Sequence, residues 1–220
     1  DKIDKNLYDF ISDNYKIDKT LFISLGSRLI FDKKFISFTK GNLINFHGAR
    51  LPYDSGGGGF SWRIMREDKI DNQLVHLIDS GIDTGPVITH NSSIYPKWCK
   101  IPIDYEEHST KLFLKFYEDF IKKIKNGKSF QLKHQMDYIG RYNPRLSSVE
   151  NSFIDWNFQP RELYSFINSF DEPYIGATTF LNNGNCEKVH LKNVHLHGGD
   201  SSNHPFMTGL ISRHDGDWIV

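Results

Sequence analysis

Asn45 and His47 stand two positions apart at the end of the apolar run Leu43-Ile44-Asn45-Phe46-His47. If that run is a strand, its period of two turns both side chains to one face. A carboxamide can donate to a developing oxyanion and an imidazole titrates near neutral pH, so the pair suits acyl transfer. The same spacing also fits a capped strand end whose histidine satisfies its own hydrogen bonds. Asp83 lies between Gly81 and Gly85 on a loop between two apolar runs. Its carboxylate could orient His47 or accept a proton through water. An Asx-turn residue is the structural alternative. Asp79 reads as structural, and no metal pair or other metal site is expected. His76, in the run that feeds the loop, is by itself a core or edge histidine.

A second signal lies between these stretches. Gly56-Gly57-Gly58-Gly59 precede Phe60-Ser61-Trp62, and backbone N–H groups exposed at a helix start favour an anion such as phosphate. The spacing matches neither a Walker A nor a dinucleotide fingerprint. A flexible active-site loop fits equally well.

Several elements must position these residues. Residues 20–25 read as a buried strand ended by Gly26, and 31–38 as a short helix or irregular crossover. With the strand over 43–47, two apolar strands about 17 residues apart give the parallel crossover pattern. The stretch 48–59 reads as loop, 60–66 as a helix, and 72–78 and 86–90 as strands. Leu112, Phe113, Phe116, Phe120, Ile121 and Ile124 form the clearest helical stripe, capped by Ser109 or Thr110 and stopped by Gly127. Beyond residue 128 the composition changes. Asn143-Pro144 and Ser147-Ser148 suggest a linker, and a helix starts near Pro160. Short strands over 177–181, 189–191 and 194–196 suggest a small antiparallel barrel or sheet.

The chain has 220 residues, 38% of them hydrophobic, enough for one large domain with an appendage. Lys+Arg and Asp+Glu balance at 27 each, which argues against a protein that grips nucleic acid through its phosphates. Cys99 and Cys186 read as reduced thiols. No run of about 18 apolar residues occurs, and residues 1–20 lack a signal-peptide core. The expectations are no membrane span and a cytoplasmic location. A homodimer is an admissible assembly.

Taken in order, several motifs resemble the formyltransferases that use 10-formyltetrahydrofolate. They are the Asn-x-His strand end, Leu51-Pro52 and the glycines, the helix with Trp62, and Ser80-Gly81-Ile82-Asp83-Thr84-Gly85-Pro86. Ile154-Asp155-Trp156 and Asp171-Glu172-Pro173-Tyr174-Ile175-Gly176-Ala177 resemble the second domain of methionyl-tRNA and nucleotide-sugar N-formyltransferases. The resemblance implies an α/β, Rossmann-like catalytic domain with a mostly parallel sheet over residues 1–140. It implies a linker helix and smaller β-rich, OB-like subdomain over 141–220. Family members carry further strands before the one that 20–25 matches, so the N-terminal strands look absent.

It further implies that Asn45, His47 and Asp83 are catalytic. Asn45 would hold the oxyanion, protonated His47 would stabilise charge or relay the amine proton, and Asp83 would hold the imidazole. Ser27, Arg28, Leu29, Ile30 and His76 would meet the folate. Arg50, Gly57, Gly58 and Trp62 would face the acceptor, although Gly48 stands where proline is common after the histidine. The implied acceptor is a nucleotide-linked amino sugar. A methionyl-tRNA acceptor and a non-catalytic folate- or nucleotide-binding module are the alternatives.

Overall fold

The computed structural model describes residues 3–27, 29–57, 59–136, 139–197, 204–216 and 218–220. Arg28 and Gly58, both singled out above, lie outside the described residues.

Helix α1 (Lys5–Asn14) starts where the Asp4 carboxylate accepts from the Leu7 N–H at 3.0 Å, satisfying one of the first-turn donors. It buries Ile11 in a cluster with Phe35 and Leu43. Strand β1 (Phe22–Leu25) leads to α2 (Lys33–Phe38), capped in the same way by Asp32, and then to β2 (Leu43–His47). β1 and β2 pair in parallel with Ser24 opposite Asn45.

After the loop beyond His47 come β3 (Asp54–Gly56) and α3 (Gly59–Met65). β4 (Ile70–Leu77) and β5 (Val87–Ile94) complete a sheet of order β1-β2-β4-β5. The class is α/β with the expected crossover. Of the three strand pairs in this sheet, β1–β2 is parallel, while β4 runs antiparallel to both β2 and β5. The short β4–β5 loop cannot make a crossover, which needs a dozen or more residues.

The β2–β4 register sorts the side chains. Phe46 lies opposite Val75, and Asn45 opposite His76. α4 (Pro102–Lys125) covers the first of these faces, where Ile44, Phe46, Val75 and Phe120 form a buried cluster. Asn45, His47 and His76 are left on the other face. α4 begins earlier than Ser109 because Pro102 suits the first helical position. The Asp104 carboxylate also accepts from the N–H groups of Lys100 and Ile101 at 2.8 and 3.1 Å. Ser109 is instead a buried interior residue.

Two stretches read as loop and linker form a strand pair. β3 lies parallel to β6 (Arg141–Asn143), with Asp54 opposite Arg141 and Gly56 opposite Asn143. A short α5 (Ser148–Asn151) precedes α6 (Pro160–Ser169), whose Ile167 joins Phe170 and Ala177 in a cluster that Met65 of α3 touches. Then β7 (Ala177–Leu181) and β8 (Glu187–Leu191) form a hairpin, and β9 (His214–Asp215) and β10 (Trp218–Ile219) a separate pair. The strand expected over 194–196 is not one. Asn193 turns the chain at φ +52°, and its N–H donates to the Asp171 carboxylate at 2.6 Å. No helix among the described residues is long and apolar enough to cross a membrane. Cys99 is buried, Cys186 is exposed, and both are free thiols.

Candidate active site

At the C-terminal ends of β1 and β2 opens a cleft of about 380 Å³, the position where open α/β sheets receive ligands. Asn45, His47 and His76 line it from the sheet, and Asp83 from the β4–β5 loop. Ser27, Leu29 and Ile30 form one wall, while Gly56, Gly57 and Tyr142 form another.

Two polar contacts organise the floor. Asn45 Nδ2 is 3.2 Å from His76 Nε2, and His76 Nδ1 is 2.8 Å from the Leu77 carbonyl oxygen. His47 Nε2 lies 3.6 Å from Asp83 Oδ2, an ion-pair distance longer than a hydrogen bond. That nitrogen is buried and has no hydrogen-bond partner among the described residues. A buried polar atom left open calls for an explanation, and a reacting group is one.

The loop holds Asp83 firmly. Its backbone is left-handed at φ +58°, its carboxylate accepts from the Gly56 N–H at 3.1 Å, and Gln135 Nε2 donates to the carbonyls of Asp83 and Gly85 at 2.8 and 2.7 Å. Gly85 is compulsory, because a Cβ there would sit 1.8 Å from the Leu77 carbonyl oxygen. Asp79 is structural: it accepts from the Gly81 N–H and the Thr84 hydroxyl at 3.1 and 2.6 Å.

Burial lowers the His47 pKa from its ordinary 6.5, more than the Asp83 carboxylate raises it, with His76 and Arg63 also lowering it. Burial lowers His76 likewise, against the raising effects of the Leu77 carbonyl, Asp83 and Asp79. Burial thus favours the neutral form of both rings. The direction of this shift favours a resting His47 that accepts a proton, where the resemblance implied a protonated ring.

The residues expected on the acceptor side divide. Gly57 lines the cleft, and its N–H donates to the Asn143 carbonyl at 2.8 Å. Arg50 does not line it, because Asp54 and Asp68 hold its guanidinium at 3.3 and 3.0 Å. Trp62 donates its indole N–H to the Pro144 carbonyl at 2.9 Å, fastening α3 to the segment after β6. Sequence reasoning met Gly56 only as part of the glycine run and missed Gln135 and Tyr142, whose places depend on pairings between distant segments. It also missed Arg63, a buried residue that donates to the Gly48 carbonyl just after His47 and to the Tyr95 hydroxyl.

No family model matches the chain. It is 23% identical over 215 residues to a methionyl-tRNA formyltransferase of Prochlorococcus marinus, covering 94% of this chain and 63% of that protein. Its fold matches a 4-N formyltransferase from Francisella tularensis at TM-score 0.66 and 21% identity, over 88% of this chain and 78% of that one. The chain is thus similar in sequence to methionyl-tRNA formyltransferases and shares the fold of solved formyltransferases. A further neighbour in fold, an N-formyltransferase from Helicobacter canadensis, was solved with folinic acid and dTDP-3-aminofucose. It matches at TM-score 0.60 and 21% identity, over 73% of this chain and 60% of that one. The chain spans 63% and 52% of the lengths of the two Prochlorococcus methionyl-tRNA formyltransferases that it matches.

Proposed function

We propose that the protein transfers a formyl group from 10-formyltetrahydrofolate to the primary amine of a nucleotide-linked amino sugar. The observation that carries this reading is the convergence of Asn45, the open Nε2 of His47 and Asp83 on one cleft floor. The exposed apolar side chains of Leu29, Ile30 and Ile82 along one wall suit a flat, partly apolar ring such as the folate pterin. Bound there, the folate supplies the activated formyl group. Ser27, Leu29, Ile30 and His76 would hold it.

The neutral acceptor amine attacks the formyl carbon. Asn45 donates from Nδ2 to the oxygen that gains negative charge, the role of an oxyanion-hole donor. His47, neutral in the resting cleft, takes the amine proton at Nε2, and Asp83 stabilises the imidazolium that forms. The proton then passes to the departing folate nitrogen as the old carbon–nitrogen bond breaks. Gly56, Gly57 and Tyr142 bound the acceptor side.

The sugar acceptor is supported by the neutral charge balance and by the ligand of the Helicobacter canadensis neighbour. The curated relatives named methionyl-tRNA formyltransferases favour a second reading with a tRNA acceptor. Incubation with 10-formyltetrahydrofolate and either a panel of dTDP- and UDP-linked amino sugars or methionyl-tRNA separates the two. A mass gain of one formyl group on a nucleotide sugar is the expected result. Formylation of methionyl-tRNA alone overturns the sugar reading, and folate binding without turnover of any amine would leave only a binding module.

A further inference from the structure

The contact between Asn45 and His76 carries more than proximity. A carboxamide can present either its NH2 group or its oxygen to the cleft, and the two arrangements have opposite consequences for an oxyanion. His76 decides between them. Its Nδ1 faces the Leu77 carbonyl at 2.8 Å, and a carbonyl oxygen only accepts, so Nδ1 carries the proton. In the neutral ring Nε2 is then a lone pair. At 3.2 Å from that lone pair Asn45 can place only its NH2 group, because its oxygen would meet the nitrogen lone pair to lone pair.

One N–H of Asn45 is thereby directed at His76. The other is unused among the hydrogen bonds of the described residues, and Asn45 lines the cleft. We infer that His76 is a positioning residue for Asn45, locking its carboxamide so that the second N–H faces the oxygen of the reacting formyl group. The inference rests on the formyl-transfer reading above, and it gives His76 work separate from contact with the folate. The strand register supports the lock: Asn45 and His76 are directly opposed in the β2–β4 ladder, and both residues sit on strands of the sheet.

Two measurements on the 220-residue chain test it. The first is the long-range nitrogen–proton spectrum of the histidine rings near pH 7. His76 is expected as the Nδ1–H tautomer, with an Nε2 resonance that shifts in Asn45→Ala. An Nε2–H tautomer, or no shift in that variant, overturns the inference. The second compares His76→Gln, whose side-chain oxygen can accept near the Nε2 position, with His76→Leu, which cannot accept. His76→Leu is expected to lose roughly ten- to a hundredfold in kcat with little change in KM for the acceptor, and His76→Gln to recover most of it. Parent-like kcat in His76→Leu, or an equal loss in both variants, overturns the inference. If the parent chain formylates no amine, the functional reading fails, while the spectrum still decides whether His76 fixes the carboxamide.

Discussion

Strand β4 carries two polar neighbourhoods on one backbone, and they differ in how fully their hydrogen bonds are used. Beneath α4, the buried Asp71 carboxylate accepts from the Tyr95 hydroxyl at 2.7 Å, from the Ser109 hydroxyl, and from Gln73 Nε2 at 3.2 Å. Arg63 extends the group by donating to Tyr95 at 3.2 Å. On the opposite face His76 is buried and Asn45, His47 and Asp83 are half-buried, and among the described residues they leave His47 Nε2 without a hydrogen-bond partner and one Asn45 N–H unused. The first group turns its polar atoms on itself. It fixes α3, β4, β5 and α4 to one another. The unsatisfied group keeps its donors and acceptors for something that arrives.

The comparison can be broken most sharply at Asn45. Asn45→Ala is expected to lower kcat at least about a hundredfold, the usual cost of one oxyanion donor, while the thermal unfolding midpoint stays close to that of the parent. Near-parent turnover would show that the open face is not catalytic. Asp71→Ala should do the reverse. It strands three buried donors, so urea unfolding should show about 2–3 kcal/mol of lost stability, with the turnover of the folded fraction little changed. A variant of parent stability and low kcat would reverse the roles assigned to the two faces.

Gly85→Ala sharpens the boundary between them. Its Cβ would collide with the Leu77 carbonyl, costing about 1–2 kcal/mol by overpacking, and it would shift the loop that presents Asp83. Both stability and kcat should therefore fall, and a fall in one alone would separate the loop from the site. The smallest expected effect is on acid stability. His47 and His76 have folded pKa values below 6.5, so below that pH the unfolded chain takes up protons that the folded one refuses. Their contribution is complete above pH 6.5 and declines as pH falls. Thermal melts across this range should show a shallower decline in a His47→Asn, His76→Gln double variant, and an unchanged slope would count against enclosure of the two rings.

The sequence made parts of this architecture legible and hid others, for physical reasons. β2 was readable because Leu43, Ile44 and Phe46 form an apolar run, and the Asp83 loop because glycines and a proline punctuate it. The parallel crossover from β1 to β2 was readable from its two apolar runs, while the α/β class came with the family resemblance. Nothing local in the sequence shows that Tyr95, Ser109 and Arg63 will close over Asp71 and Gln73. Arg50 was expected to face the acceptor, because the carboxylates of Asp54 and Asp68 reach it only through the fold. The β3–β6 pair was invisible: Asp54-Ser55-Gly56 and Arg141-Tyr142-Asn143 show no strand-like hydrophobicity, and neither predicts the other.

That pair has a consequence for the order in which the protein is made. Ser55 Oγ donates to the carbonyl of Arg141, 86 positions further along the chain. Contacts this distant bear a loop-closure cost that is offset only late in folding. During synthesis, β2 can find β1 and then β4 as soon as those strands have emerged. β3 must wait for β6. Gly56, whose N–H holds the Asp83 carboxylate, is paired in β3 with Asn143. The cleft is therefore completed after the sheet that carries it, and an elongating chain that has not yet produced residue 143 holds the three candidate catalytic side chains without the wall that sets their geometry.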